Sequence, residues 1–105
     1  MDFTEKLEAF RATLEAAQRQ ALIASACNPD HHPHDCRIKM GRKYANVDVG
    51  HSGKYMVELT TGAIYGIKGY GVIHRGHHYG TLDTLNEWNW AGYRAFKRHD
   101  QAKAA

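Results

Sequence analysis

The sequence predicts a two-layer α+β domain: an N-terminal helix, an antiparallel β-meander of three to five strands, and a C-terminal helix. Three observations predict it. Residues 1–26 contain no Gly or Pro and repeat their apolar side chains at helical spacing. Residues 43–82 alternate apolar and polar side chains between glycine-containing turns. Residues 83–99 return to helix-like patterning behind a Thr84–Glu87 pair that resembles a capping box. A small sheet exposes one apolar face, and one or both helices would cover it. At 105 residues a single domain, 1–105, is expected.

The first helix starts at Asp2, placed to accept from the first turn, with Glu5 three residues on. Phe3, Leu7, Phe10, Leu14, Ala17, Ala21 and Ala24 recur at alternating intervals of four and three, a seam on one face. The seam either packs on this chain's own sheet or forms a homodimer with a second copy. Leu22 and Ile23 widen the apolar face, which suits a globular core better than a strict coil. Asn28-Pro29 ends the helix, because proline disfavours helix in the residue before it.

Residues 27–42 read as a loop. Within it, CNPDHHPHDC holds Cys27, His31, His34 and Cys36, donors that could make a tetrahedral zinc site. Their spacing lacks the CxxC or HxxxH pairs of standard sites, so no metal ligand is assigned. Two cysteines make no disulfide framework.

In the meander, Ala45, Val47 and Val49 share one face of the first strand, and Tyr44, Asn46 and Asp48 the other. Tyr55, Val57 and Leu59 alternate with Lys54, Met56 and Glu58. Residues 60–62 form a tight turn, and 63–68 return. Residues 72–75 and 77–82 flank Gly76. They are two strands, or one strand with a glycine bulge that would decide whether His74 and His77 share a face. In the last helix, Leu85 and Trp88 fall on one face and Trp90 and Tyr93 on another; residues 100–105 are expected to fray.

Charge is uneven. Residues 1–36 carry three Lys/Arg against six Asp/Glu, whereas residues 37–79 carry seven against two. The basic middle suggests a polyanion footprint. The longest apolar run is ALIA at 21–24, too short for a bilayer, and no cleavable signal is visible, so a cytoplasmic location is expected. There is no GxSxG, P-loop or GxGxxG, and no cofactor is implied.

The chemistry concentrates in KGYGVIHRGHHYGTLD, residues 68–83, where three histidines, an arginine and two tyrosines are interleaved with four glycines. Aromatic faces stack on bases, cations neutralise phosphates, and glycine lets backbone approach closely. The expected surface comprises Lys54, Lys68, Tyr70, His74, Arg75, His77 and Tyr79. It would bind nucleic acid or a nucleic-acid-binding protein, without catalysis. Histidine protonation would strengthen that binding below about pH 6.5. The alternative is a small metal-dependent phosphodiesterase or nuclease built on Asp48, Glu58 and His74.

Residues 43–93 also carry the strings VDVGHSGKYMV, TGAIYGIKGYGVIHRGHHYGTLD and WAGY. In these strings the chain resembles a family of small proteins encoded by bacteriophages, prophages and related mobile elements. The resemblance implies a phage or mobile-element context. It also implies stoichiometric action on a host component, inhibition of host defence included. It carries no catalytic residue over.

Overall fold

In the computed structural model, which describes residues 2–50, 52–91 and 95–97, helix α1 spans Phe3–Ala24. An Asp2 carboxylate oxygen accepts from the Glu5 backbone N–H at 2.8 Å and satisfies a first-turn donor. At the other end the helix closes before Asn28-Pro29 is reached. Cys27 N–H donates to the Leu22 carbonyl at 2.8 Å and Ala26 N–H to Ile23 at 3.0 Å, with Ala26 in the left-handed region at φ 60°. This is a Schellman turn with alanine in the glycine position.

Leu7, Phe10 and Leu14 are buried, and Phe3 and Ala17 pack against the same core. Over these residues the seam lies on the chain's own sheet. A homodimer through Phe3–Ala24 would need that same face, so the structure removes the surface on which the dimer reading rested.

The sheet is an antiparallel meander in sequence order: β1 (Cys36–Met40), β2 (Tyr44–Val49), β3 (Ser52–Glu58), β4 (Ala63–Gly69) and β5 (Val72–Thr81). Met40, Ala45, Val57 and Ile64 are in register on one row, as are Ile38, Val47 and Tyr55 on the next. These rows face α1. The β3–β4 turn closes with Gly62 N–H donating to the Glu58 carbonyl at 2.8 Å, and Gly62 takes φ 76°, which a side chain would resist.

Strand β1 corrects the loop expected over 27–42. Its Cys36, Ile38 and Met40 alternate with Arg37 and Lys39, and α1 anchors its start. Glu15 accepts from the Cys36 N–H at 2.7 Å, and Arg11 donates to the Cys36 carbonyl at 3.4 Å.

The C-terminal helix is also corrected. Leu85–Glu87 form one 3-10 turn. Then β6 (Trp88–Asn89) pairs with β7 (Phe96–Lys97) in a two-stranded ribbon. Thr84 makes no side-chain cap bond; its hydroxyl instead bonds the Thr81 backbone. The reason lies in the tryptophans. On a helix Trp88 and Trp90 would stand about 200° apart, whereas in extended chain they share a side. Both indoles reach the core in this way. Trp90 is buried with its ring edge-on to Phe10 at 4.8 Å, and Trp88 packs edge-on to Tyr79 at 5.7 Å. Gln18 of α1 donates to the Trp90 carbonyl at 2.8 Å and holds the segment in place. The expected tail over 100–105 lies outside the described residues.

Candidate functional site

Two bulges decide where the candidate residues point. In β3, Val47 pairs with Tyr55 but Asp48 pairs with Gly53, so Lys54 is an extra residue. Strict alternation would put Lys54 beside Met56 and Glu58. The bulge instead places it beside Tyr55. In β5, Tyr65 pairs with His78 while its neighbour Gly66 pairs with His74, so Arg75, Gly76 and His77 loop out of the ladder. Residues 72–81 are thus one strand with a bulge at Gly76, and the bulge sorts its polar side chains onto two sides.

On the core side, His74 and His77 share a face. Their rings stack at 4.0 Å between centroids and 8° between planes. His74 Nδ1 is buried and makes no hydrogen bond. His77 lines a trough of about 220 Å³ together with Lys54, Tyr55 and Tyr79. Gly66 and Ile67 of β4 and Gly53 complete it. A Cβ on Gly66 would come within 3.0 Å of His77 Cβ and 3.4 Å of the Tyr79 hydroxyl, so the trough exists because that position is glycine. Burial holds the Lys54 ammonium below its ordinary pKa and pushes the Tyr55 phenol up. Tyr79 is a core residue, 7% exposed, with its ring edge-on to Tyr55 at 5.5 Å.

On the opposite face, Lys39, Asn46, Met56, Tyr65 and His78 stand in register across all five strands. No described helix covers this row. Arg75 lies over it, its guanidinium carbon 5.5 Å from the Tyr65 ring centroid and 5.8 Å from that of Tyr44. It donates to the Tyr44 hydroxyl and lies 3.7 Å from a Glu58 carboxylate oxygen. His78 packs on Tyr65 with centroids 5.1 Å apart. Arg37 and Lys39 of β1, with Arg42 and Lys43 in the following turn, are exposed.

Tyr70 belongs to a third place. It is exposed at the β4–β5 turn, and its hydroxyl donates to Asp48 at 3.0 Å. That bond raises the Tyr70 pKa. The ring lies over Gly53, where a Cβ would approach it to 2.9 Å. Lys68 is exposed near the end of β4.

The seven candidates are therefore not one surface. Lys54, His74, His77 and Tyr79 gather on the core side, Arg75 lies outward, and Tyr70 and Lys68 sit at the sheet's end. Tyr44, Tyr65 and His78 complete the outer patch and were outside the chosen set. Tyr44 carried a readable signal, an aromatic on the polar face of a strand.

Asp48, Glu58 and His74 do not converge. Glu58 stands opposite Tyr44, four residues along β2 from Asp48 and roughly 13 Å away. Each carboxylate is engaged, Asp48 by Tyr70 and Glu58 by the Thr61 hydroxyl at 2.7 Å. Cys27, His31, His34 and Cys36 likewise form no group that could hold a metal ion. Cys36 is buried with its thiol pushed up to about 12, against the direction a thiolate ligand needs. Among the described residues, no three His, Cys, Asp or Glu side chains are grouped to hold a metal ion, and no helix is long and apolar enough to cross a membrane. No protein-family model, curated protein or solved structure matches the chain.

Proposed function

We propose that the outer face of the sheet binds single-stranded nucleic acid without catalysis, as the working surface of a phage or mobile-element accessory protein that acts on a host component. The observation that carries it is Arg75 laid over Tyr65 and Tyr44 on an antiparallel face that no described helix covers, with His78 and Lys39 on the same row. Aromatic rings and guanidinium planes on open sheets stack on unpaired bases, and each stacked base contributes about 1–3 kcal/mol. Glu58 and the Tyr44 hydroxyl hold the guanidinium in place before ligand arrives. Exposed Arg37, Lys39, Arg42 and Lys43 line the adjoining edge and supply phosphate contacts. Duplex DNA fits less well, because among the described residues no helix on this face offers itself to a major groove. The mobile-element context rests on the resemblance of the segment TGAIYGIKGYGVIHRGHHYGTLD to phage and prophage proteins.

Fluorescence anisotropy with a labelled oligothymidylate tests the binding. The unmodified protein is expected to bind with an affinity that falls about two to three log units per log unit of salt, as for three or four phosphate contacts. Tyr65→Ala with Arg75→Ala is expected to weaken binding at least about tenfold. Undetectable or salt-independent binding by the unmodified protein would sink the proposal. A single protein retained from lysate after nuclease treatment would reassign the same patch to a protein partner.

A further inference from the structure

We infer that a cleft between the end of β5 and the β6–β7 ribbon holds a single guanine base. The cleft has a volume of about 310 Å³ and is lined by His78 and Gly80 of β5, Thr84 and Glu87 around the 3-10 turn, Trp88 of β6 and Lys97 of β7. Its closeness to Trp88 depends on the glycine, since a Cβ at position 80 would come within 2.6 Å of the indole nitrogen. The Thr84 hydroxyl is spent on the Thr81 backbone. Glu87 and Lys97 are exposed, and no described residue engages the Glu87 carboxylate in a hydrogen bond or ion pair. The Lys97 ammonium lies 5.7 Å from the centroid of the Trp88 ring. A cation settled there shows that this face of the indole is reachable from the cleft.

Size admits one base, because pockets for small ligands begin at roughly 300 Å³. A base stacked on Trp88 takes the place of the ammonium and leaves it beside the base's edge. Chemistry then selects the base. A carboxylate only accepts, and its two oxygens are best met by two adjacent N–H donors. On its pairing edge guanine alone presents such a pair, the ring N–H and the neighbouring amino group. Its O6 and N7 accept, and they suit an ammonium. Adenine and cytosine offer a carboxylate one amino group beside a bare ring nitrogen, and thymine one N–H between two carbonyls. The cleft joins the outer patch at His78, which lines it and packs on Tyr65 with centroids 5.1 Å apart. A strand on the outer face would deliver the base, and for that source the inference rests on the nucleic-acid reading. A free guanine nucleotide is the other source.

Indole N–H resonances followed during titration with guanosine monophosphate are the test. The Trp88 resonance is expected to shift saturably, with a dissociation constant near or below about 1 mM. Trp90, whose N–H donates to the Leu85 carbonyl at 3.0 Å, is expected to stay in place. Adenosine and uridine monophosphates are expected to bind at least about fivefold more weakly. Glu87→Gln, at an exposed position that leaves folding intact, is expected to bring the guanine nucleotide down to the level of the adenine one. An unmoved Trp88 resonance by about 10 mM, equal affinity for the guanine and adenine nucleotides, or an undiminished preference in Glu87→Gln would overturn the site. Oligothymidylate carries no guanine and so separates this inference from the outer-face reading. If it binds, and neither the mononucleotide nor a guanine added at its end gains affinity, the cleft falls and the outer face stands. If it fails to bind while the mononucleotide shows the expected preference, the outer face falls and the cleft is a site for the free nucleotide. A guanine-ended oligothymidylate that outbinds both its all-thymidine twin and the mononucleotide at least about fivefold identifies the strand as the source.

Discussion

The two sides of β5 use the same residue types for different ends. Toward the core, His74 and His77 are stacked, Tyr79 is buried, and His77 and Tyr79 line a glycine-floored trough. Away from it, Arg75 and His78 lie on Tyr65 and face outward. Arg75 and His77 are separated in sequence only by Gly76, yet they serve opposite faces. The difference teaches that a basic, aromatic string has no single role until register is known. Here the bulge over residues 75–77 fixes that register.

The largest effect that separates the sides is on stability. Phe10 is fully buried and packs against Tyr55 and Trp90. Phe10→Ala is expected to cost about 3–5 kcal/mol in urea unfolding. Truncating Arg75, more than half exposed, is expected to cost no more than about 1 kcal/mol while weakening oligonucleotide binding. Equal stability losses in the two variants would erase the distinction between a face built on burial and one built for contact.

Gly66→Ala is a sharper cut, because it acts on the trough alone. The new methyl meets the His77 Cβ at 3.0 Å, and something must move. An overpacking cost of about 1–3 kcal/mol is expected. The His74 and His77 ring resonances should shift as the stack opens. Oligothymidylate affinity should stay within about twofold, since Tyr65 and Arg75 point the other way. A loss of nucleic-acid binding as large as that of the Tyr65→Ala, Arg75→Ala variant would show that the two sides are one site.

Helix α1 and the meander were legible in the sequence, because their signals are local periods of 3.6 and 2 that the core then uses. Strand β1 was read as part of a loop, because the Pro- and His-rich residues before it masked the short alternation of Cys36, Ile38 and Met40 with Arg37 and Lys39. The C-terminal segment was not legible. Its composition and apparent cap favour helix, but Trp88 and Trp90 gain more by reaching the core together than a short helix gives. The candidate site was legible in its residue types and not in its geometry. Lys54, His77 and Arg75 take their faces from two bulges, and a bulge follows from pairing with a distant strand. That pairing also brings Tyr44 under Arg75, 31 residues away in sequence.

The smallest expected effect is at the sheet's end, where the two sides meet. Tyr70 donates to Asp48, and its pKa is raised, first by that hydrogen bond, then by desolvation and by the carboxylate's charge. A pKa raised in the folded state means the protonated phenol is favoured by folding. Its contribution is fully present below the unfolded value near 10 and is lost as pH rises through the folded value. Ultraviolet titration should therefore show Tyr70 ionising late beside the buried Tyr55, and Asp48→Asn should bring Tyr70 alone back toward the others. Because Tyr70 is exposed, thermal stability at neutral pH should barely change in Tyr70→Phe, and oligonucleotide binding should not fall by more than about twofold. A large loss of oligonucleotide binding would place Tyr70 within the outer surface. It would also extend the boundary between the two faces past the β5 bulge to the Tyr70–Asp48 bond across Gly53.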